Sequence, residues 1–153
     1  MSMRKWETFH ALGSVGSEFE AGRFALSQTL RALEADGDVV QAAAGEDVAQ
    51  GDVWRCRANM QITYVIRLFA EFEGILLDFW HDGLKRRTTP KVKVVMDRVA
   101  DLRGMSPAHR TAAHDVREYR NEIIHERLRT ARLPFHECKS QLGRFVNWLP
   151  EAW

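Results

Sequence analysis

Tyr64-Val65-Ile66-Arg67-Leu68-Phe69-Ala70-Glu71-Phe72-Glu73-Gly74-Ile75-Leu76-Leu77-Asp78-Phe79-Trp80 is the richest apolar stretch of the chain, and its spacing decides the fold. Tyr64, Leu68, Phe69, Phe72, Ile75, Leu76 and Phe79 recur at three- and four-residue steps, which places them on one broad stripe of an α-helix. Arg67, Glu71, Glu73 and Asp78 interrupt the run. It is therefore wrong for a membrane span, which needs about 20 predominantly apolar residues. Trp54 extends the stripe upstream, so the helix is predicted from Asp52 to about His81, and His81-Asp82-Gly83 closes it.

The flanking segments supply further helices. Phe9, Leu12, Val15, Phe19, Leu26, Leu30 and Leu33 predict one that starts at Trp6 and ends at Asp36-Gly37-Asp38, with Gly13, Gly16 and Gly22 weakening its middle. Val39 to Gly51 reads as a loop or a frayed extra turn. Lys91-Val92-Lys93-Val94-Val95 alternates like a strand, but Val95, Val99 and Leu102 continue with helical spacing. An isolated strand would have nothing to pair with, so a helix is expected. Ser106-Pro107 is a capping side chain followed by proline at the first helical position, and opens a helix running to about Arg129. Pro134 opens the last, carrying Leu142, Phe145, Val146 and Leu149. The expected fold is all-α, an antiparallel bundle of about five helices forming a single domain over residues 1–153.

The chain has 153 residues, 45% apolar and 28% charged, with a formal net charge of +1. A domain of that size buries about 68–70% of the surface of its unfolded chain and needs no staples. Cys56 and Cys138 cannot make a disulfide framework and fit a reducing compartment. The opening residues, Met1 to Glu7, have no apolar run behind them, so a cytoplasmic protein without membrane association is expected. His109 with His114, and His136 with Cys138, lack structural zinc spacing. There is no glycine-rich phosphate loop and no strand-turn-helix elbow carrying a nucleophile, so no metal and no cofactor are expected.

The small net charge conceals a partition. Between Glu18 and Asp52, the acidic Glu18, Glu20, Glu34, Asp36, Asp38, Glu46, Asp47 and Asp52 face only Arg23 and Arg31. Lys85, Arg86, Arg87, Lys91, Lys93, Arg98 and Arg103 face only Asp97 and Asp101 further on. A cleft bringing basic segments together is compatible with RNA, with modest and salt-sensitive affinity.

The fourth helix carries Arg117-Glu118-Tyr119-Arg120-Asn121-Glu122-Ile123-Ile124-His125-Glu126-Arg127. At about 100° per residue, Val116, Tyr119 and Ile123 share a core-facing stripe, while Arg117, Asn121 and His125 form a polar row opposite. Arg120-Asn121-x-x-x-His125 resembles the signature of the HEPN superfamily, an arginine followed by a polar residue and a histidine late in a helical bundle. Arginine and histidine at this loose spacing also occur at Arg103 to His109 and Arg129 to His136, but Pro107 and Pro134 interrupt those. Only the middle pair has an asparagine and an unbroken helix.

The resemblance implies a metal-independent endoribonuclease, a homodimer whose composite site joins residues of two subunits, and a toxin or defence effector with an antitoxin or other protein partner. His125 would be the acid/base, Arg120 the phosphate clamp, and Asn121 a group orienting His125 or the phosphate. Histidine has an unperturbed pKa near working pH, and a guanidinium can hold two phosphate oxygens in fixed geometry. Arg117 and Arg127 would contact substrate, and Glu71 on the second helix would orient Arg120. Where one branch of the family often has a modified tyrosine two positions after the histidine, this chain has Arg127. Arg120 and His125 lie about 140° and 7.5 Å apart along one helix, so one chain does not easily bring both to one phosphorus. The products implied are a 2′,3′-cyclic phosphate and a 5′-hydroxyl. Two alternatives are a catalytically silent member of the same fold that binds a nucleotide or protein, and a purely structural helical dimer.

Overall fold

Five helices carry the fold in a computed structural model that describes residues 4–38, 49–125 and 131–153. They are α1 (Lys5–Ala35), α2 (Gln50–Asp78), α3 (Val92–Arg103), α4 (Pro107–His125) and α5 (Phe135–Val146). Among the described residues there is no strand, only an isolated antiparallel bridge between Arg4 and Ala152. The chain is thus an all-α helical bundle. No described helix is long and apolar enough to cross a membrane.

The stripe on α2 is the centre of the core. Val65, Leu68, Phe69, Phe72 and Leu76 have no exposed surface at all, and each such side chain contributes about 1.5–3 kcal/mol relative to an exposed one. Glu18 pairs with Arg67, Phe19 packs on Tyr64, and Met60 lies over Gly22, so α1 and α2 run antiparallel. A Cβ at Gly22 would come within 2.4 Å of the Met60 methyl. The glycine that weakens the helix therefore lets α2 approach it. In contrast, α5 runs parallel to α2: Phe135 meets Tyr64 at one end and Phe145 meets Phe72 at the other. The antiparallel arrangement expected of the bundle thus holds between α1 and α2, but not for every packed pair.

The segment whose alternation mimics a strand is helix α3. Val95, Met96, Val99 and Ala100 form its buried face, a three- and four-residue spacing that the Lys-Val alternation upstream hides. Gly104 ends it in the left-handed conformation at φ 61°, where a residue without Cβ avoids strain. At the end of α2 a π-helical turn, Phe79–Gly83, widens the chain. It buries Phe79 and Trp80, and the Trp153 ring lies edge-on to Phe79 at 5.4 Å.

Two aromatic placements depart from the periodic reading. Trp54 and Phe9, assigned to the apolar stripes of α2 and α1, are 46% and 40% exposed. Buried positions on α1 concentrate between Thr8 and Phe19 with Leu30 alone beyond, and those on α2 begin at Met60. Periodicity finds the apolar face of a helix, but not how much of its length neighbours cover.

Candidate active site on the fourth helix

The local sequence sets the position of α4. Ser106 Oγ accepts a hydrogen bond from the His109 backbone N–H at 3.4 Å, and Pro107 takes the first helical position. Ala113, Val116, Tyr119 and Ile123 are buried and fix the rotation of the helix. Opposite them, Arg110, His114, Arg117, Asn121 and His125 follow one another at steps of three and four, and so share one row.

The first half of this row is covered by α3. Asp97 Oδ1 accepts from Arg110 Nε at 3.2 Å and Nη2 at 2.8 Å and lies 2.9 Å from His114 Nε2, while Asp101 takes Arg110 Nη1 at 2.8 Å. Partial burial disfavours the Asp97 charge, but the hydrogen bonds from Arg110 and His114 outweigh it and hold its carboxyl below the usual carboxylate range. The second half is open. Asn121 and His125, with Glu118 and Glu122, line a shallow hollow of about 280 Å³, and His125 is exposed at its rim. Both carboxylates have cationic partners: Glu118 meets Arg117 Nη2 at 3.2 Å, and Glu122 meets Arg132 Nε at 3.1 Å.

Arg120 stands between the row and the core. Its guanidinium lies 5.6 Å from the centre of the Phe69 ring on α2, and Nη1 donates to Asn121 Oδ1 at 3.0 Å. The ring face and the amide together brace the cation. Arg120 Nε is buried with no hydrogen-bond partner among the described residues, and so is Arg117 Nε. Neither guanidinium lines the hollow, although each touches a residue that does, and a buried donor without a partner is costly.

Several sequence expectations change in detail. Asn121 turns to Arg120 rather than to His125, so its role is to hold the arginine. Arg117 belongs to the row, but its side chain is only 16% exposed. Glu71 is exposed and lies about 200° around α2 from Phe69, so it is not brought to Arg120. Glu73, half-buried and four residues from Phe69, falls on the Phe69 side. Arg127 and the expected helix end at Arg129 lie outside the described residues. Arg120 does not line the hollow that holds His125, in keeping with their separation along one helix.

Sequence reading missed three contributors. Phe69 is the platform for Arg120, and its apolar period marks it only as core. Tyr119, expected in the core, is fully buried there, yet its hydroxyl also accepts from the Arg132 backbone N–H at 3.1 Å. The Arg132 guanidinium lies 5.5 Å from the same ring, which ties the chain after residue 131 to α4 beside the hollow. A larger hollow of about 420 Å³ lies on α1, lined by Glu20, Arg23, Phe24, Ser27, Gln28 and Arg31. Its Arg23 and Glu20 satisfy one another at 2.8 Å, and His136 pairs with the same Glu20 at 2.9 Å, so these charged groups are already engaged with one another. Among the described residues no three His, Cys, Asp or Glu side chains gather as a metal site requires. Burial pushes the Cys138 thiol up to about 12, which makes it an unreactive core residue.

Fold and site together define an all-α bundle presenting a braced arginine, its asparagine and an exposed histidine on the last turns of one helix. Compared with protein-family models, curated proteins and solved structures, the chain matches none.

Proposed function

We propose that the chain is a HEPN-type, metal-independent endoribonuclease acting as a homodimer. The observation that carries this reading is the state of Arg120, braced by Phe69 and Asn121 with a buried donor that has no partner among the described residues, about 7.5 Å along the helix from an exposed His125. In a twofold dimer that brings two copies of α4 together, Arg120 of one subunit and His125 of the other share a cleft. One His125 takes the proton of the ribose 2′-hydroxyl as the 2′-oxygen bonds to phosphorus. The phosphorus–O5′ bond then breaks, and the same histidine, now protonated, gives that proton to the leaving oxygen. Arg120 stabilises the extra negative charge on the phosphate oxygens. The products are a 2′,3′-cyclic phosphate and a 5′-hydroxyl, and DNA is left intact for lack of the 2′-hydroxyl. An antitoxin or other protein partner and a cytoplasmic setting belong to this proposal.

A second reading, a catalytically silent member of the same fold, is favoured by Glu118 and Glu122 in the hollow, since uncompensated carboxylates would repel phosphate. Their pairing with Arg117 and Arg132 answers that objection. Incubating labelled RNA with purified protein in EDTA decides between them. The enzyme reading predicts cyclic-phosphate ends for the wild type and loss of cutting in Arg120→Ala and His125→Ala. Intact RNA with the wild type, or equal cutting by both variants, overturns it.

A further inference from the structure

The segment from Leu84 to Met96 contains Lys85, Arg86, Arg87, Lys91 and Lys93 and no acidic residue. All five cationic side chains are exposed, and none forms an ion pair among the described residues. Several cations elsewhere are paired, Arg23 with Glu20, Arg55 with Asp52, Arg67 with Glu18, Arg110 with Asp97, and Arg132 with Glu122. Exposed arginines without an ion pair among the described residues also occur singly, as at Arg31, Arg57 and Arg144, but here five unpaired cations fall within nine residues.

The backbone beneath them is held in place. Trp80 Nε1–H donates to the Thr88 carbonyl at 2.8 Å, His81 Nδ1–H to the Arg86 carbonyl at 2.8 Å, and the Arg86 N–H to the Trp80 carbonyl at 3.2 Å. Thr89 Oγ1 lies 3.5 Å from His81 Nε2, which suits the tautomer that donates from Nδ1. Lys85 adopts φ 53°, the left-handed region that a lysine rarely occupies. The π-helical turn that ends α2 thus anchors a shaped connection whose carbonyls point inward to Trp80 and His81 and whose cations face solvent.

We propose that this connection is a binding track for the phosphate backbone of single-stranded RNA, separate from the Arg120 and His125 site. The inference rests on the ribonuclease reading for the identity of the polyanion. The five cations follow one another over nine residues, Lys85 to Lys93, and all face solvent, which suits a polymer carrying many phosphates better than a single phosphate or a lipid headgroup. Among the cations from Lys85 to Lys91 stand only Thr88, Thr89 and Pro90, and the one large exposed apolar side chain of the segment is Val94 on α3, too little to enter a bilayer. A surface of this kind supplies sequence-independent affinity through counterion release.

The test is binding of a fluorescent 2′-O-methyl RNA, which cannot be cut by 2′-hydroxyl attack, over a series of salt concentrations. The quadruple variant Lys85→Gln, Arg86→Gln, Arg87→Gln, Lys91→Gln is compared with Arg23→Gln, Arg55→Gln, Arg67→Gln, which removes paired cations, and the Lys85→Gln, Arg86→Gln double variant covers the case of a quadruple variant that fails to fold. At about 0.7 per phosphate contact, the slope of log affinity against log salt becomes shallower by about 2 to 3 in the quadruple variant and by about 1 in the double variant. The paired-cation variant keeps the wild-type slope. Unchanged RNA affinity and slope in a folded track variant overturn the proposal, as does lost binding to anionic phospholipid vesicles with RNA binding intact. Because the ligand is uncleavable, these outcomes stand whether or not Arg120 and His125 prove catalytic.

Discussion

Along the outer row of α4, His114 and His125 stand eleven residues apart on the same stripe, one against Asp97 on α3 and the other at the rim of an open hollow. Arg110, at the covered end, spends its guanidinium on two aspartates, while Arg120, at the open end, meets a ring face and an amide and no carboxylate among the described residues. The same residue types act as a fastener where an acidic neighbour pairs with them. His125, which pairs with none among the described residues, is exposed. What distinguishes a structural histidine from a candidate catalytic one here is the element that packs over it.

The sharpest way to break this contrast is to remove each histidine in turn. His125→Ala is expected to lower RNA cleavage by about 10² to 10⁴, the usual worth of a positioned acid/base. His114→Ala is expected to keep cleavage within about threefold of wild type and to lower thermal stability. Equal losses of cleavage would erase the distinction. Next in size is the platform under Arg120. Phe69→Ala should destabilise the fold by about 3–5 kcal/mol, read by denaturant unfolding, because the ring is fully buried. Phe69→Leu should cost less than about 1.5 kcal/mol and still lower turnover, since it removes the ring face while keeping the core filled.

Smaller effects refine the picture. Tyr119→Phe deletes the acceptor for the Arg132 N–H and should cost about 1 kcal/mol, measurable as a lower melting temperature. At the covered end, the folded state holds the Asp97 carboxyl below its ordinary value of 3.8. That stabilisation is present above about pH 4 and is lost as pH falls through the folded-state value. Asp97→Asn should therefore lower the melting temperature at pH 7 and flatten its fall on acidification below pH 4. A variant with wild-type acid sensitivity would show that the carboxylate contributes nothing.

The apolar period made most of the fold legible. It located α2 and the core face of α4 because each buries a continuous stripe, and Val116, Tyr119 and Ile123 are all buried. It overstated the burial of Trp54 and Phe9, since coverage by a neighbour is a tertiary fact that leaves no local signature. At the site, the residue types at Arg120, Asn121 and His125 stood out from packing expectations. The direction in which Asn121 turns, and the covering of Arg110 and His114 by Asp97, depend on rotamers and on α3 docking, which spacing within α4 does not encode. Phe69 shows the converse, a core residue by pattern whose ring face also braces a cation.

In the proposed mechanism Arg120 of one subunit works with His125 of another. Co-expressing Arg120→Ala with His125→Ala, each inactive alone, tests it directly. Random pairing makes half the dimers mixed, each with one intact composite site, so cleavage should return to about a quarter of the wild-type rate. A mixture of assembled dimers as inactive as either parent would contradict the composite site.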